Sequence, residues 1–368
     1  MEVKVLTGDL FNSKAQTLVN TVNCVGVMGK GVALEFKNRF PDMFEDYLAR
    51  CRRHEVKLGW PYLYKIHANQ WILNFPTKDH WRSLSRVEDI VAGLNYLLQH
   101  YKEWGIKSLA VPPLGSGQGG LEWRIVGPIL HRYLGQMDIP VELYAPHDTP
   151  TEELQLSFLQ KEGKILARPE KERMNPAWVA LVEILRRIES EPYHWPVGRT
   201  TFQKIAFVAT SEGLPTGLNF QRGSYGPYAA ELKNLTARLL NHHLILERQS
   251  GKMFAVSVGP SYEVAKKEYA GELAKWHEQM DRVADLFVRL RTNQAEIVAT
   301  VLCASQELSK TEKGIPSEKD VLSEVMAWKQ KRRPPLDEGE VASTIRNLAM
   351  LGWLKVKAST DLPIAEVA

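Results

Sequence analysis

Hydrophobic and polar positions follow two different patterns along the chain. Up to about residue 155, two kinds of segment follow each other. One is short and either apolar or alternating between apolar and polar residues, and in the other the apolar residues recur every three to four positions. The first kind is typical of β-strands and the second of amphipathic helices. The predicted strands are MEVKVL, TLVNTVN, SLAVPPL and VELYAP, with YLYKIHA and QWILNF as a hairpin. Strands that alternate with helices predict an α/β fold, a sheet with helices on both faces.

The predicted helices of this half are VALEFKNRFPDMFEDYLARC, interrupted at Pro41, then RVEDIVAGLNYLLQHYKEW and EWRIVGPILHRYLGQM. In open α/β sheets, ligands bind beyond the carboxyl ends of the strands. The loops that follow the strands are therefore where we expect the functional residues.

The second half of the chain has a different pattern. Residues 156–174 are polar and charged, which predicts a linker between a domain at 1–155 and another at 175–368. The second domain is predicted to be mainly helical, and its first helix to begin with Asn175 as N-cap and Pro176 in the first helical position. Two helical segments lead directly into short strands, in HHLILERQSGKMFAVSVG and LGWLKVKAS. That order indicates small winged-helix-like β elements.

Composition narrows the class of protein. The chain has 368 residues, 44% hydrophobic and 24% charged, with a net charge of +4. It has no apolar run long enough to span a membrane and no signal peptide, so we expect a cytoplasmic protein without membrane contact. The three cysteines are far apart and no HExxH motif occurs, which argues against disulfides and against a metal site. Residues 1–155 carry 17 basic and 17 acidic side chains, so a broad basic face for nucleic acid is not expected.

A glycine-rich loop, GVMGKG at residues 26–31, lies between a predicted strand and a predicted helix. Glycines allow close approach of the backbone to a ligand, and a helix N-terminus favours an anion. The loop does not fit GxxxxGK[ST], because Lys30 is followed by Gly31 and the first glycine is too close. It is therefore either a phosphate-binding loop of another kind or a turn without a ligand.

A second loop, PPLGSGQGGLEW at residues 112–123, also follows a strand and precedes a helix. It matches GxGxxG through Gly115, Gly117 and Gly120, which alone is a weak signal. A dinucleotide-binding site has this motif in the first βα unit and an acid at the end of the next strand. Here the motif occurs late, and Asp138 precedes the next strand. A dehydrogenase is thus disfavoured, and two glycine loops remain to hold two phosphates.

Three motifs in this order, TGDLF, VNTVNC…GVMGKGVALEFKNRFP and VPPLGSGQGGLEW, resemble those of macrodomains, which bind ADP-ribose. The resemblance covers about residues 1–150 and implies a mixed sheet between helices. Among macrodomains the sequence is similar to DarG-type antitoxins. That resemblance implies a hydrolase, without cofactor or metal, that removes ADP-ribose from thymidine bases of single-stranded DNA. It also implies a DarT-type ADP-ribosyltransferase toxin as protein partner.

The same resemblance implies roles for individual residues. Asp9 would accept a hydrogen bond from adenine, although it could also simply cap the turn after the first strand. Asn20 and Asn23 would lie at the distal ribose, or be satisfied by backbone as strand-end asparagines often are. Lys78 would act with Asn20 on the anomeric carbon, as a nucleophile or as a charged helper. The other implied ADP-ribose contacts are Leu10, Gly29, Lys30, Gly31, Val32, Leu114, Gly115, Ser116, Gly117, Gln118 and Gly119.

The sequence departs from the family pattern in one respect. A related human glycohydrolase pairs its lysine with an aspartate in the second glycine loop, and the corresponding position here is about Gly119. Either Lys78 works with Asn20 alone, or another residue such as Asp79 or His80 helps. The missing acid motivates an alternative, a non-catalytic ADP-ribose-binding module fused to a DNA- or protein-binding winged-helix domain. A third possibility is an antitoxin that acts only by protein interaction.

The second domain carries a weaker resemblance. Its segments FQKIAF and SYGPYAAEL are similar to the C-terminal region of DarG proteins. This implies that residues 175–368 bind and block the toxin. A winged-helix domain that reads DNA is the alternative from the pattern alone, and the modest net charge disfavours it.

Overall fold

The computed structural model describes the chain in four ranges, residues 3–160, 174–251, 253–310 and 314–363. They belong to two compact units, Met1–Glu172 and Arg173–Ala368. The first residues of the predicted linker belong to the first unit, since Leu156–Leu159 is a short helix and Leu159 is buried in that unit's core. The rest of the predicted linker, apart from Gln160 and Met174, lies outside the described residues.

One sheet organises the first unit. Its six strands are β1 (Val3–Leu6), β2 (Thr17–Asn23), β3 (Tyr62–His67), β4 (Gln70–Lys78), β5 (Leu109–Val111) and β6 (Val141–Tyr144). They lie in the order β1-β6-β5-β2-β4-β3. All neighbours are parallel except β3, which forms the predicted antiparallel hairpin with β4. The carboxyl ends of five strands therefore meet at one edge of the sheet.

Helices cover both faces of this sheet. The helices of the first unit in the described residues are α1 (Gly31–Arg39), α2 (Pro41–Arg52), α3 (Val87–Trp104), α4 (Trp123–Leu134) and α5 (Leu156–Leu159), with 3₁₀ turns at Leu10–Asn12 and Thr151–Leu154. Phe36 of α1 and Met43 of α2 are buried in an apolar cluster on one face. Leu94 of α3 and Ile129 of α4 are buried in the cluster on the other. The predicted macrodomain architecture is confirmed.

Strand β2 illustrates how the sequence places side chains on the two faces. Successive side chains of a strand point to opposite faces. Accordingly Leu18 and Val22 belong to the cluster that includes α1 and α2, while Val19 belongs to the other. Asn20 shares the face of Leu18 and Val22, so its amide points towards α1 and α2.

The second unit is mainly helical, as expected. Its helices in the described residues are α6 (Pro176–Ser190), α7 (Arg199–Ser211), α8 (Leu232–Asn241), α9 (Tyr262–Glu268), α10 (Ala270–Lys275), α11 (His277–Phe287), α12 (Thr292–Ser309), α13 (Glu318–Trp328) and α14 (Glu338–Met350). The predicted cap of α6 forms, because Asn175 accepts a 2.9 Å hydrogen bond from the Ala177 amide. None of the described helices is long and apolar enough to cross a membrane.

Four short strands complete the second unit, in two antiparallel pairs: β7 (Gln221–Gly223) with β8 (Gly226–Tyr228), and β9 (Ile245–Ser250) with β10 (Met253–Val258). The pair β9–β10 follows α8 as the sequence predicts. The second predicted strand, LGWLKVKAS, is wrong, since only Lys357 pairs there, with Ser317. Ser317 is the N-cap of α13, so the partner segment turns into a helix at once and no ladder can extend. The winged-helix character of the unit is thus not confirmed.

Candidate ADP-ribose site at the carboxyl edge of the sheet

The predicted site residues follow the carboxyl ends of parallel strands. Asp9 comes after β1, the first glycine loop after β2, Lys78 ends β4, and the second glycine loop follows β5. Four strand spacings of about 4.8 Å separate β1 from β4, so roughly 19 Å lies between the strands that carry Asp9 and Lys78. The edge therefore suits an elongated ligand that lies across five strands.

Lys78 meets the second glycine loop. Its Nζ donates a hydrogen bond to the carbonyl oxygen of Gln118 over 3.3 Å. Strand β2 lies between β4 and β5, so the lysine side chain reaches across the end of β2 to make this contact. In the β2–β4 register Lys78 is paired with Asn23, after a shift at Val22. The structure thus brings together two features that are 40 residues apart in the sequence.

Asn23 holds the first glycine loop in shape. Its Oδ1 accepts from the amides of Val25 (3.1 Å) and Val27 (3.3 Å), and its Nδ2 donates to the Val27 carbonyl (2.5 Å). The Tyr47 hydroxyl donates to the Asn23 carbonyl (2.7 Å). The side chain is therefore engaged in organising residues 23–27, and its contact with a ribose stays a prediction.

The end of the first loop is open to a ligand. Helix α1 begins at Gly31 with Lys30 as N-cap, and the Lys30 side chain makes no capping hydrogen bond. The amides of Gly31 and Val32 therefore have no intrahelical acceptor and are suited to an anion. Gly31 has a φ of +59° and nothing within 4 Å of where a Cβ would lie. Gly29 is nearly as open, with only a Val27 methyl at 3.8 Å.

The two ends of the second loop differ in their surroundings. Gly117 is exposed and has no atom within 4 Å of where a Cβ would lie, whereas a Cβ at Gly119 would lie 2.2 Å from Ser85 Oγ and 2.3 Å from the Gly115 carbonyl oxygen. The Gly119 carbonyl also accepts from the Ser85 amide over 2.9 Å. Gly117 thus leaves room for a ligand, and Gly119 leaves no room for any side chain, including the aspartate of the human relative.

Asp9 caps the turn after β1. Its carboxylate accepts a 2.9 Å hydrogen bond from the Phe11 amide, and the residue is exposed. The capping role that the sequence left open is therefore present, and binding of adenine stays a prediction. The leucines predicted beside the ligand, Leu10 and Leu114, are 5% and 0% exposed. Their side chains belong to the core, so any ligand contact by them would be through the backbone.

Asn20 is fully buried and paired with a residue that sequence reasoning missed. Its Nδ2 donates to Asn74 Oδ1 over 2.9 Å and lies 3.9 Å from the Met28 sulfur. Met28 belongs to the first glycine loop, so direct contact between Asn20 and a ligand requires a rearrangement of that loop. The signal for Asn74 was available, since it is a polar residue inside the apolar strand WILNF.

Other groups near Lys78 are unsuited to nucleophilic chemistry or to metal binding. Burial, with a smaller effect of the nearby Asp79 carboxylate, raises the pKa of the Cys24 thiol to about 12, so the thiol stays protonated. Burial also raises the pKa of the Asp89 carboxyl in the first turn of α3. Within the described ranges, no group of three His, Cys, Asp or Glu residues is placed to hold a metal ion.

The sequence of this chain is similar to those of known proteins. Residues 19–130 match the Macro domain family. A DNA ADP-ribosyl glycohydrolase of Thermus aquaticus is 36% identical over 66% of this chain and 65% of its own length. A DNA ADP-ribosyl transferase-DNA ADP-ribosyl glycohydrolase fusion protein of Thermosipho africanus is 43% identical over 42% of this chain and 45% of its own.

Two further comparisons cover nearly the whole of the matched protein. An ADP-ribose 1''-phosphate phosphatase of Meyerozyma guilliermondii is 35% identical over 36% of this chain and 94% of its own length. The solved macrodomain of Mycobacterium tuberculosis DarG has 44% sequence identity, covers 39% of this chain and 97% of its own, and gives a TM-score of 0.38.

The chain spans about half to two thirds of the length of the glycohydrolase and fusion relatives. The match to the glycohydrolase covers 66% of this chain, which is more than the 172 residues of the first unit, so it extends into the second. The match to the phosphatase covers nearly all of that relative. The phosphatase match and the Macro domain match together support one family assignment for the first unit. The chain therefore belongs to the macrodomain family and is similar to the DNA ADP-ribosyl glycohydrolases.

Proposed function

We propose that the first unit binds ADP-ribose along the carboxyl edge of its sheet and removes it from thymidine bases of single-stranded DNA. The observation that carries this proposal is the contact between Lys78 Nζ and the Gln118 carbonyl, 3.3 Å apart. Through this contact Lys78 lies next to the second glycine loop, one residue from the exposed Gly117, and this supports a role for the lysine at a ligand held by that loop. The name of the Thermus aquaticus relative supports the reaction and the DNA substrate.

In this proposal the ligand lies across the edge with its adenine at Asp9 and its distal ribose at Lys78. The pyrophosphate is held by the free amides of Gly31 and Val32 and by the second loop around Gly117, which offer N–H donors without a competing side chain. The distance of roughly 19 Å between β1 and β4 is what separates the two ends of the ligand.

The reaction breaks the bond between the anomeric carbon of the distal ribose and a nitrogen of thymine. Water supplies a hydroxyl to the carbon and a proton to the base nitrogen. Lys78 acts at the anomeric carbon, and Asn20 orients the ribose hydroxyls after the first loop has moved Met28 away from it. No carboxylate acts from position 119 in this chain. The residue there is Gly119, and its packing against Ser85 and Gly115 leaves no space for an acidic side chain.

The test is incubation of the protein with an oligonucleotide that carries ADP-ribosylated thymidine, followed by measurement of released ADP-ribose. We expect release by the wild type and a loss of at least about 100-fold for Lys78→Ala. Lys107→Ala is the matched control, an exposed lysine that precedes β5 at the opposite edge of the sheet, and should stay within about threefold. Equal rates for wild type and Lys78→Ala would rule out the role of this lysine. Binding of ADP-ribose in calorimetry without any release would instead indicate the non-catalytic module.

For the second unit we propose direct binding of a partner ADP-ribosyltransferase, so that the protein is an antitoxin as well as a hydrolase. The Thermosipho africanus relative joins a transferase and a glycohydrolase in one chain, which supports a functional link between these activities. Co-purification of the tagged transferase with residues 175–368 and with residues 1–160 tests it. We expect capture by the C-terminal fragment, and capture only by residues 1–160 would contradict the proposal.

A further inference from the structure

The four residues after Lys78, from Asp79 to Arg82, form a compact turn directly beside the proposed reaction site; we call it the Trp81 turn. The Asp79 carboxylate accepts a 2.7 Å hydrogen bond from the His80 amide, and His80 Nδ1 accepts one of 3.1 Å from the Arg82 amide. The Asp79 carbonyl accepts from the Cys24 amide over 3.0 Å. The turn is therefore held both by its own hydrogen bonds and by Cys24, two residues before the first glycine loop.

Two side chains of the turn pack against the Trp81 ring. The rings of His80 and Trp81 are 5.5 Å apart between centroids and inclined by 30°. The Arg82 guanidinium carbon lies 4.5 Å from the centre of the Trp81 ring. Even so, Trp81 is 43% exposed, although burial of such a ring would be favourable. Because its neighbours hold the ring in place, a second aromatic ring can stack on its exposed surface at little cost in conformational entropy.

The position of Trp81 relative to the reacting group is limited by the chain. Three residues span at most about 11 Å, so the Trp81 Cα lies within that distance of the Lys78 Cα. Val25 and Val27, which follow Cys24 in the chain, are 47% and 38% exposed. Three exposed apolar side chains thus lie on the segments around the end of β4, beside the point where the base would leave the ribose.

Charge around the turn argues for stacking as the main source of affinity for DNA. Residues 1–155 have equal numbers of acidic and basic side chains, so a general attraction for phosphates is weak there. Arg82 and Arg86 are exposed close to the turn, but Asp79 and Glu88 are exposed as well. Proteins that hold single strands without base-specific contacts use aromatic rings on which bases stack, with cations for the backbone.

We propose that Trp81 stacks against the base next to the modified thymidine and so makes the site selective for ADP-ribose on a DNA strand. Arg82, lying against the same ring, contacts the phosphate between the two nucleotides. This inference rests on the proposed function, because it assigns the part of the substrate that lies beyond the glycosidic bond.

The experiment compares two substrates in the full-length protein, an ADP-ribosylated thymidine nucleoside and an ADP-ribosylated single-stranded oligonucleotide. Trp81→Ala should lower kcat/KM for the oligonucleotide by roughly tenfold, mainly through KM. The rate for the nucleoside should not change, and Trp81→Phe, which keeps a stacking ring, should retain most of the preference. Trp60→Ala is the matched control, because Trp60 is 58% exposed but stacks on Tyr96 in the middle of α3.

Two results would overturn the inference: equal kcat/KM of Trp81→Ala and wild type on the oligonucleotide, or an equal loss on both substrates. The latter would mean that Trp81 only supports Lys78. A fluorescence anisotropy titration of the labelled ADP-ribosylated oligonucleotide separates this inference from the proposed function. If the wild type releases nothing from either substrate, the hydrolase proposal fails. Weaker oligonucleotide binding by Trp81→Ala would then still support the stacking role, and unchanged binding would refute it.

Discussion

The side-chain amides of Asn20 and Asn74 are hydrogen-bonded to each other across β2 and β4, with 2.9 Å between Asn20 Nδ2 and Asn74 Oδ1. The other polar atom of the Asn20 amide, Oδ1, is buried and has no hydrogen-bond partner among the described residues. Buried polar atoms without partners cost stability, so such a pair is usually kept for a reason other than folding. Asn20 lies on β2, the strand that leads into the first glycine loop, so the pair lies next to the candidate site.

From this pair we expect Asn20→Ala to slow the release of ADP-ribose by about 100-fold, in the range found when one oriented polar group is removed from an active site. The thermal unfolding temperature should fall as well, because Asn74 Oδ1 loses its donor and is left buried without a partner, so the rates are compared at a temperature at which both proteins are folded. Thr21→Ala, the neighbour on the opposite face of β2, serves as control. A wild-type rate for Asn20→Ala would mean that the asparagine pair is only structural.

The two possible roles of Lys78 are distinguished by Lys78→Arg. Arginine keeps the positive charge but is not a nucleophile, since it stays protonated in proteins. If the lysine amine attacks the anomeric carbon, the variant is as inactive as Lys78→Ala. If the charge alone assists the reaction, it retains a substantial part of the rate. Reduction with borohydride during turnover, followed by mass spectrometry of the peptide that contains Lys78, gives an independent readout, since only the nucleophile forms an adduct.

Gly117 and Gly119 form a matched pair of substitutions two residues apart. Gly119→Ala forces a methyl group to within 2.3 Å of the Gly115 carbonyl oxygen, so we expect a loss of about 2 kcal/mol in the free energy of unfolding. Gly117→Ala meets no atom within 4 Å and should leave the stability of the ligand-free protein unchanged. It should instead weaken ADP-ribose binding, because its methyl group occupies the open side of the loop. Denaturation and calorimetry measure the two effects, and an equal effect of both variants on stability would contradict this assignment of the loop.

The sequence predicted the sheet of the first unit well, because its strands are short apolar runs with clear boundaries; TLVNTVN corresponds to β2 residue for residue. It also predicted that Lys78, a few residues after QWILNF, lies near the carboxyl edge of the sheet; β4 continues to Lys78, which ends the strand at that edge. It could not predict the Asn20–Asn74 pair or the packing of Gly119 against Ser85. Both depend on which strands are neighbours in the sheet, and that order is not a local property. The failed strand at Lys357 has the same origin, because a strand needs a partner that continues alongside it.

The second unit contains a buried lysine whose charge should make the stability depend on pH. Lys204 is 2% exposed and donates a 2.7 Å hydrogen bond to the Pro227 carbonyl. Burial, together with the nearby ammonium of Lys329, lowers the pKa of Lys204 from 10.5 to about 8, although the carboxylate of Glu296 opposes this. Glu296 is itself shared, since it accepts hydrogen bonds from Lys329 (2.9 Å) and Arg332 (3.0 Å).

A lysine with a lower pKa in the folded than in the unfolded protein releases its proton first from the folded state. The contribution of Lys204 to the free energy of unfolding therefore rises with pH between about 8 and 10.5, by up to about 3 kcal/mol in total. Cys303, whose pKa burial raises to about 12, has the opposite effect above its ordinary value of 9.0. The difference between wild type and Lys204→Met isolates the lysine. We expect this difference in unfolding free energy, from urea titrations at pH 7, 8 and 9, to shift in favour of the wild type as pH rises, and a constant difference would show that Lys204 does not titrate there.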